Sequence, residues 1–437
     1  MQTADLLLAP RWLIPIEPEG VVLEDHALVV DGGRIEAVLP LADARVRYDA
    51  RQTVALPQHA LLPGFVNLHT HAAMSLLRGI ADDLPLMDWL QNHIWPAEGA
   101  HVGAAFCEDG LRLAFAEMIR GGTTCVNDMY FFPDATARIA VEAGLRATVG
   151  LIVFDFPSAW GKDAGDYIHK GVALHDQLKG EALVRTIFAP HAPYTVADAP
   201  LLKVRQYANE LGIGIHMHVH ETAHEVASAL AATGKRPWAR LRELELLGPD
   251  FIAVHMTQLD DDEIAEAAQY GVHVAHCPES NLKLASGFAP VDKLLRAGVN
   301  VGIGTDGAAS NNDLDLLGEM RSAALLAKAV GGDPAALPAA SALRMATLGG
   351  AKALGLDGEI GSLLKGKSAD CIAVDLSAAA TQPVYNVLSQ IVYAASRDQV
   401  SDVFVAGRAL LRNRQLTTLD EAAAIARGTE WRAKIKS

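Results

Sequence analysis

His69-Thr70-His71 puts two imidazoles two residues apart at the end of an apolar run over residues 61–68. Alternate side chains of an extended strand point to one face, so both rings can reach a single ion. H-x-H alone fits two surface histidines as well as it fits a metal site. A second cluster, His216-Met217-His218-Val219-His220-Glu221, brings three imidazoles and a carboxylate together. The three His share strand parity, so the period does not choose a ligand among them. A buried, hydrogen-bonded role suits His216 and a loop-facing one suits His220. Glu221 directly follows the strand, where an acid/base must sit. Gly304-Thr305-Asp306-Gly307 closes a further apolar run. Asp306 there either ligates a metal, holds a water, or caps a helix opening at Ser310-Asn311-Asn312. His255 ends yet another run, and alone reads more often as structural than catalytic.

These residues lie far apart in the chain and need an architecture that gathers strand ends. The middle of the sequence alternates short apolar runs with helical patterns, which indicates βα units and a parallel sheet. Eight candidate strands end near His69 and His71, Asp128, Phe154, His191, His218 and His220, His255, His276 and Asp306. Helical patterns over 107–120, 201–211 and 260–270 lie between them. Eight such units close into a (β/α)8 TIM barrel, an α/β fold whose active sites sit at the C-terminal ends of the strands. Most of the eight ends carry a His, so they converge on one mouth. The acidic run Asp260-Asp261-Asp262-Glu263 is expected to open a helix, where carboxylates complement the dipole, and not to hold a second metal.

Both termini read as β-structure. Ala27-Leu28-Val29-Val30 and Arg34-Ile35-Glu36-Ala37-Val38 flank a tight turn at Asp31-Gly32-Gly33. Asp370-Cys371-Ile372-Ala373-Val374 and Asp402-Val403-Phe404-Val405-Ala406-Gly407 have the same texture. Neither end has strands enough for a stable sheet. The expected organisation is a composite β-sandwich from 1–60 and 366–437 around a barrel at 61–365. Acidic residues outnumber basic ones 52 to 37, for a net charge of −15. Such a chain repels phosphate backbones, so no nucleic-acid partner is expected. Cys107, Cys125, Cys277 and Cys371 show no C-x-x-C spacing, as fits a reducing compartment. The absence of a signal-like N-terminus or a membrane-length apolar run points to the cytoplasm, with no membrane association. The composition is compatible with a homo-oligomer.

Pro63-Gly64-Phe65-Val66-Asn67-Leu68-His69-Thr70-His71 resembles the opening strand of the amidohydrolase superfamily. The likeness continues through His218-x-x-Glu221-Thr222, His255 and Thr305-Asp306, and spans the chain. Within the superfamily it points to the deaminases of 5′-methylthioadenosine and S-adenosylhomocysteine. Leu86-Met87-Asp88-Trp89-Leu90, Ile94-Trp95-Pro96-Ala97-Glu98, Pro190-His191-Ala192-Pro193-Tyr194-Thr195 and the stretches beginning at His276 and Gly304 carry that likeness. The resemblance implies that His69, His71, His218 and Asp306 hold one divalent metal, zinc. It implies that Glu98 and His191 contact a small-molecule nucleoside, and that Glu221 and His255, with Asp306, act at the reacting atoms. The implied reaction is hydrolysis at purine C6, with Glu221 moving a proton to N1 and ammonia leaving. Two-metal relatives use a strand-four Lys. Here that strand ends Phe188-Ala189-Pro190-His191, which favours one metal. Arginines that some relatives place in the pocket have no counterpart in the matching stretches. Trp89 and Trp95 are expected to pack in the core. The alternatives are another deaminase or chlorohydrolase of the superfamily, acting on guanine, cytosine or an s-triazine, and a non-catalytic barrel scaffold.

Overall fold

The computed structural model describes residues 1–436. Its centre is a sheet of eight parallel strands: β1 (Phe65–Thr70), β2 (Thr123–Asp128), β3 (Arg146–Val153), β4 (Val184–Pro190), β5 (Ile215–Val219), β6 (Phe251–His255), β7 (His273–His276) and β8 (Asn300–Ile303). Every residue of β1, β2, β3, β5, β6 and β7 is buried, as expected of strands covered on both faces. Helices follow each strand and pack outside. The acidic run opens one of them: Asp260 accepts the Glu263 amide, Glu263 returns the bond to the Asp260 amide, and the helix Asp261–Tyr270 ends at Gly271.

The barrel closes where β8 meets β1. The Asp306 amide donates to the His69 carbonyl at 3.0 Å. Asn67 binds Thr305 twice, accepting its amide at 3.0 Å and donating to its hydroxyl at 2.7 Å. Gly304 permits this approach, since a Cβ there would lie 2.8 Å from the His69 nitrogen. The seam therefore fixes Asp306 beside His69, although 237 positions separate them in the chain.

The termini share one nine-stranded sheet. Strand Tyr48–Pro63 pairs in parallel with Gln2–Leu13 and antiparallel with Cys371–Asp375, so N- and C-terminal strands interleave. The sheet curls until the turn at Gly33 meets the turn at Ala406. A Cβ on Gly33 would stand 2.6 Å from the Ala406 carbonyl oxygen. Leu8, Leu28, Val30, Leu61, Cys371 and Phe404 fill the inside of the curl. The last helix, Glu421–Lys436, leaves this sheet for the barrel, where Trp431 packs edge-on against Phe106 and donates to Asp109. Among the described residues no helix is long and apolar enough to cross a membrane.

Candidate active site

Three imidazoles and a carboxylate meet at the barrel mouth. His69 and His71 come from the end of β1, His218 from β5, and Asp306 from the loop after β8. Their ligand atoms all lie within 4.8 Å of one another, and no other such group of His, Cys, Asp or Glu occurs among the described residues. His69 Nε2 and His71 Nε2 each lie 3.2 Å from Asp306 Oδ1, and His218 Nε2 lies 3.1 Å from His69 Nε2.

The outer ring nitrogens fix how these imidazoles face. His71 Nδ1 donates to the Met129 carbonyl, and His218 Nδ1 donates to the His191 carbonyl at 2.8 Å. Carbonyls only accept, so both rings carry a proton on Nδ1 and turn an Nε2 lone pair inward. His69 Nδ1 faces His216 Nε2 at 3.0 Å, which holds the third ring with its Nε2 toward the centre. Asp306 Oδ2 accepts the hydroxyls of Ser280 and Ser310 at 2.7 and 2.8 Å, leaving Oδ1 for the centre. Inward lone pairs and a carboxylate at such separations repel unless a cation lies among them. Burial lowers the His71 pKa, but Asp306 and the Met129 carbonyl outweigh it and raise it to about 9. Burial likewise opposes the ionisation of Asp306, yet His69 and His71 hold it well below the carboxylate range. The cluster draws positive charge into itself and fits one divalent ion, zinc.

Glu221 stands beside this centre, buried, and burial pushes its carboxyl above the usual range. His255 Nε2 is 3.8 Å from its Oε1, while His255 Nδ1 pairs with Asn281 Oδ1 at 2.9 Å. Beyond them opens a cavity of about 410 Å³. Glu98, in the first turn of the helix Trp95–His101, is half-buried and accepts the Tyr130 hydroxyl at 2.6 Å. Burial raises its carboxyl to about 7. His191 lies against Phe154, its Nδ1 3.0 Å from the Thr195 hydroxyl, and burial pushes the ring down to about 3. The outer wall is aromatic: Trp95, Phe131, Phe154 and Phe156 line it, with Trp95 and Phe156 rings 6.2 Å apart. Among the described residues no Lys or Arg lines the cavity.

The model of the amidohydrolase family matches residues 60–410. The chain belongs to the amidohydrolase family. It is 48% identical, over 99% of its length and 97% of the relative's, to a 5-methylthioadenosine/S-adenosylhomocysteine deaminase of Saccharophagus degradans. A zinc-bound crystal structure of an adenosine deaminase from Xanthomonas campestris superposes with a TM-score of 0.99 at 55% identity, covering 100% of this chain and 99% of that one. An atrazine chlorohydrolase from Arthrobacter aurescens, complexed with zinc, superposes at 0.89 with 25% identity, covering 98% and 99%.

Of the residues singled out in the sequence, His71, Glu98, His191, His218, Glu221, His255 and Asp306 line the cavity, and His69 lies fully buried behind them. His216 is buried against His69, and His220, expected to face a loop, is instead fully buried and accepts the amide of Trp238 in the helix Pro237–Glu243 at 3.2 Å. Asp306 caps nothing: the helix Ala308–Asn311 starts at Gly307 without a side-chain cap. Both tryptophans differ from the expected core role in part. Trp89 is buried in the core yet also lines the cavity, and Trp95 lines it half-buried, because the helices after β1 fold across the mouth. Ser280, Asn281, Ser310 and Tyr130 were not assigned roles in the sequence. Ser280 and Asn281 lie in the helix Pro278–Lys283 that follows the end of β7, and that position was the available signal.

Proposed function

We propose that this protein is a zinc-dependent deaminase of adenine nucleosides, acting at C6 of 5′-methylthioadenosine and S-adenosylhomocysteine and releasing ammonia. The observation that carries the reading is the pairing of a single His69, His71, His218, Asp306 donor set with buried Glu221 at its edge. Those four residues would hold the ion. A divalent ion held there supplies Lewis acidity that makes water nucleophilic near neutral pH. Glu221 takes a proton from the attacking water and delivers it to ring N1, which makes C6 electrophilic. Its raised pKa suits a group that must both accept and release a proton. His255, held by Asn281, steadies charge developing at C6. Water adds, the C6–N bond breaks, and the 6-oxo purine remains. Glu98 accepts hydrogen bonds from the ribose hydroxyls, and His191 contacts the nucleoside from the facing wall. With no Lys or Arg among the described residues that line the cavity, a nucleotide's phosphate finds no side-chain cation there.

The test is ammonia release and the adenine-to-hypoxanthine absorbance change with purified zinc protein. 5′-Methylthioadenosine, S-adenosylhomocysteine and adenosine would be run beside guanine, cytosine and atrazine. Turnover of the nucleosides is expected. Stoichiometric zinc with turnover of only a free base or the triazine would overturn the reading.

A further inference from the structure

The carboxylate of Glu221 is placed by the peptide that carries it, and that peptide is held from both sides. The chain leaves β5 through His220, which has the left-handed φ of 53°. The helix Ala223–Thr233 starts directly afterwards, with the Thr222 hydroxyl accepting the Glu225 amide at 3.2 Å. In an ordinary capping box the third helical Glu reaches back only to the cap amide. Glu225 reaches further. Its Oε2 accepts the Glu221 amide at 2.8 Å and its Oε1 accepts the His220 amide at 3.2 Å. On the opposite side the Thr257 hydroxyl donates to the Glu221 carbonyl at 2.7 Å and accepts from Gln258 Nε2 at 2.9 Å. Both Glu225 and Thr257 are only 8% exposed. A cap on a helix surface stays solvated. Here burial lifts the Glu225 carboxyl to about 7, a cost that helix capping alone does not require.

We propose that Glu225 is a positioning residue for the reaction: with Thr257 it clamps the Glu221 peptide at its N–H and C=O ends and so aims the Glu221 carboxylate at the metal centre. The proposal rests on the reading of Glu221 as the proton carrier. It predicts a defect in turnover, with binding and metal content spared.

The experiment measures kcat, KM and zinc content on 5′-methylthioadenosine for Glu225→Ala, Glu225→Gln and Thr257→Val, each in the wild-type and the Glu221→Gln background. A mis-aimed group costs roughly 10- to 100-fold, so Glu225→Ala should lower kcat by that factor with KM and zinc unchanged. Glu225→Gln, which keeps one acceptor oxygen, should fall between it and wild type. With Glu221→Gln already in place there is no proton carrier left to misplace, and Glu225→Ala should cost less than about threefold more. Equal losses in both backgrounds, loss of zinc with activity, or full activity of the Glu225 variants would overturn the proposal. If Glu225→Ala does not fold, the comparison of Glu225→Gln and Thr257→Val across the two backgrounds decides it. Wild-type activity of Glu221→Gln alone would instead show that the reading of Glu221 is wrong.

Discussion

The two ends of the cavity are built on different principles. At the inner end directional bonds orient the donor groups: His71 and His218 give their outer protons to backbone carbonyls, and Asp306 takes two hydroxyls. Those groups stand at strand ends, the stiffest positions the barrel offers. At the outer end Trp95 and Phe156 come from a helix and a loop and offer surface with little directional bonding. In the proposed reaction the inner end sets the chemistry, because charge and geometry there leave little freedom, and the outer end sets which substituent is tolerated, because apolar contact is graded and non-directional.

That contrast breaks first, and furthest, at the metal cluster. His218→Ala or Asp306→Asn should lose zinc and turnover together, read by metal analysis beside an ammonia assay. Full activity with full zinc in either variant would remove that residue from the donor set. Chelation of wild type should abolish turnover, and added zinc should restore it. One step down, Glu221→Gln keeps the shape of the side chain but not its proton. Loss of general acid/base catalysis should lower kcat by roughly 100- to 10,000-fold with zinc retained. A fall of less than about tenfold would place the proton on another group.

Glu98 lies between the two ends, and its variants sharpen the comparison. Glu98→Ala should reduce kcat/KM for 5′-methylthioadenosine roughly 10- to 100-fold, the worth of a charge-assisted hydrogen bond. The 2′,3′-dideoxy analogue should be spared, and equal losses on both would make Glu98 structural. Because burial raises this carboxyl to about 7, it gains a proton as pH falls through that value and is a charged acceptor above it. KM for nucleosides should therefore rise toward acid pH in wild type and stay flat in Glu98→Gln. The smallest effect belongs to the outer wall. With no Lys or Arg there, kcat/KM for 5′-methylthioadenosine should exceed that for S-adenosylhomocysteine, whose amino-acid tail finds no cation. Ala159→Arg on the exposed part of that wall should narrow the gap by up to about fivefold, the value of one partly exposed ion pair.

The inner end was also the more legible in the sequence. Strand parity put His69 and His71 on one face, and the count of βα units put β1, β5, β6 and β8 around one mouth. Parity stopped short at His216, His218 and His220, which differ by depth along the strand. His216 sits a layer down against His69, and His220 passes the strand end and rotates away through its left-handed φ. Ser280 and Asn281 stayed hidden because their partners follow or end other strands, 26 positions away for Ser280 on Asp306 and for Asn281 on His255, while Ser310, four positions from Asp306, read as the opening of a helix. Glu225 drew no notice in the sequence, since nothing local distinguishes a carboxylate that reaches back to a preceding strand. At the termini the strands and the Gly33 turn were readable. Their order was not, because pairing between Tyr48–Pro63 and Cys371–Asp375 is a long-range choice that local pattern leaves open.

That pairing bears on how the protein is made. As the chain leaves the ribosome, Gln2–Leu13 and Tyr48–Pro63 can pair at once, but the free edge of Tyr48–Pro63 must wait for Cys371–Asp375, which arrives only after the entire barrel has been synthesised. Until then an apolar strand edge, carrying the buried Ala60, Leu61 and Leu62, stands open beside a growing barrel. Its second partner follows the whole barrel in the chain, so completion of the sheet waits on the barrel's synthesis, and a nascent chain stalled before Cys371 leaves that edge unpaired.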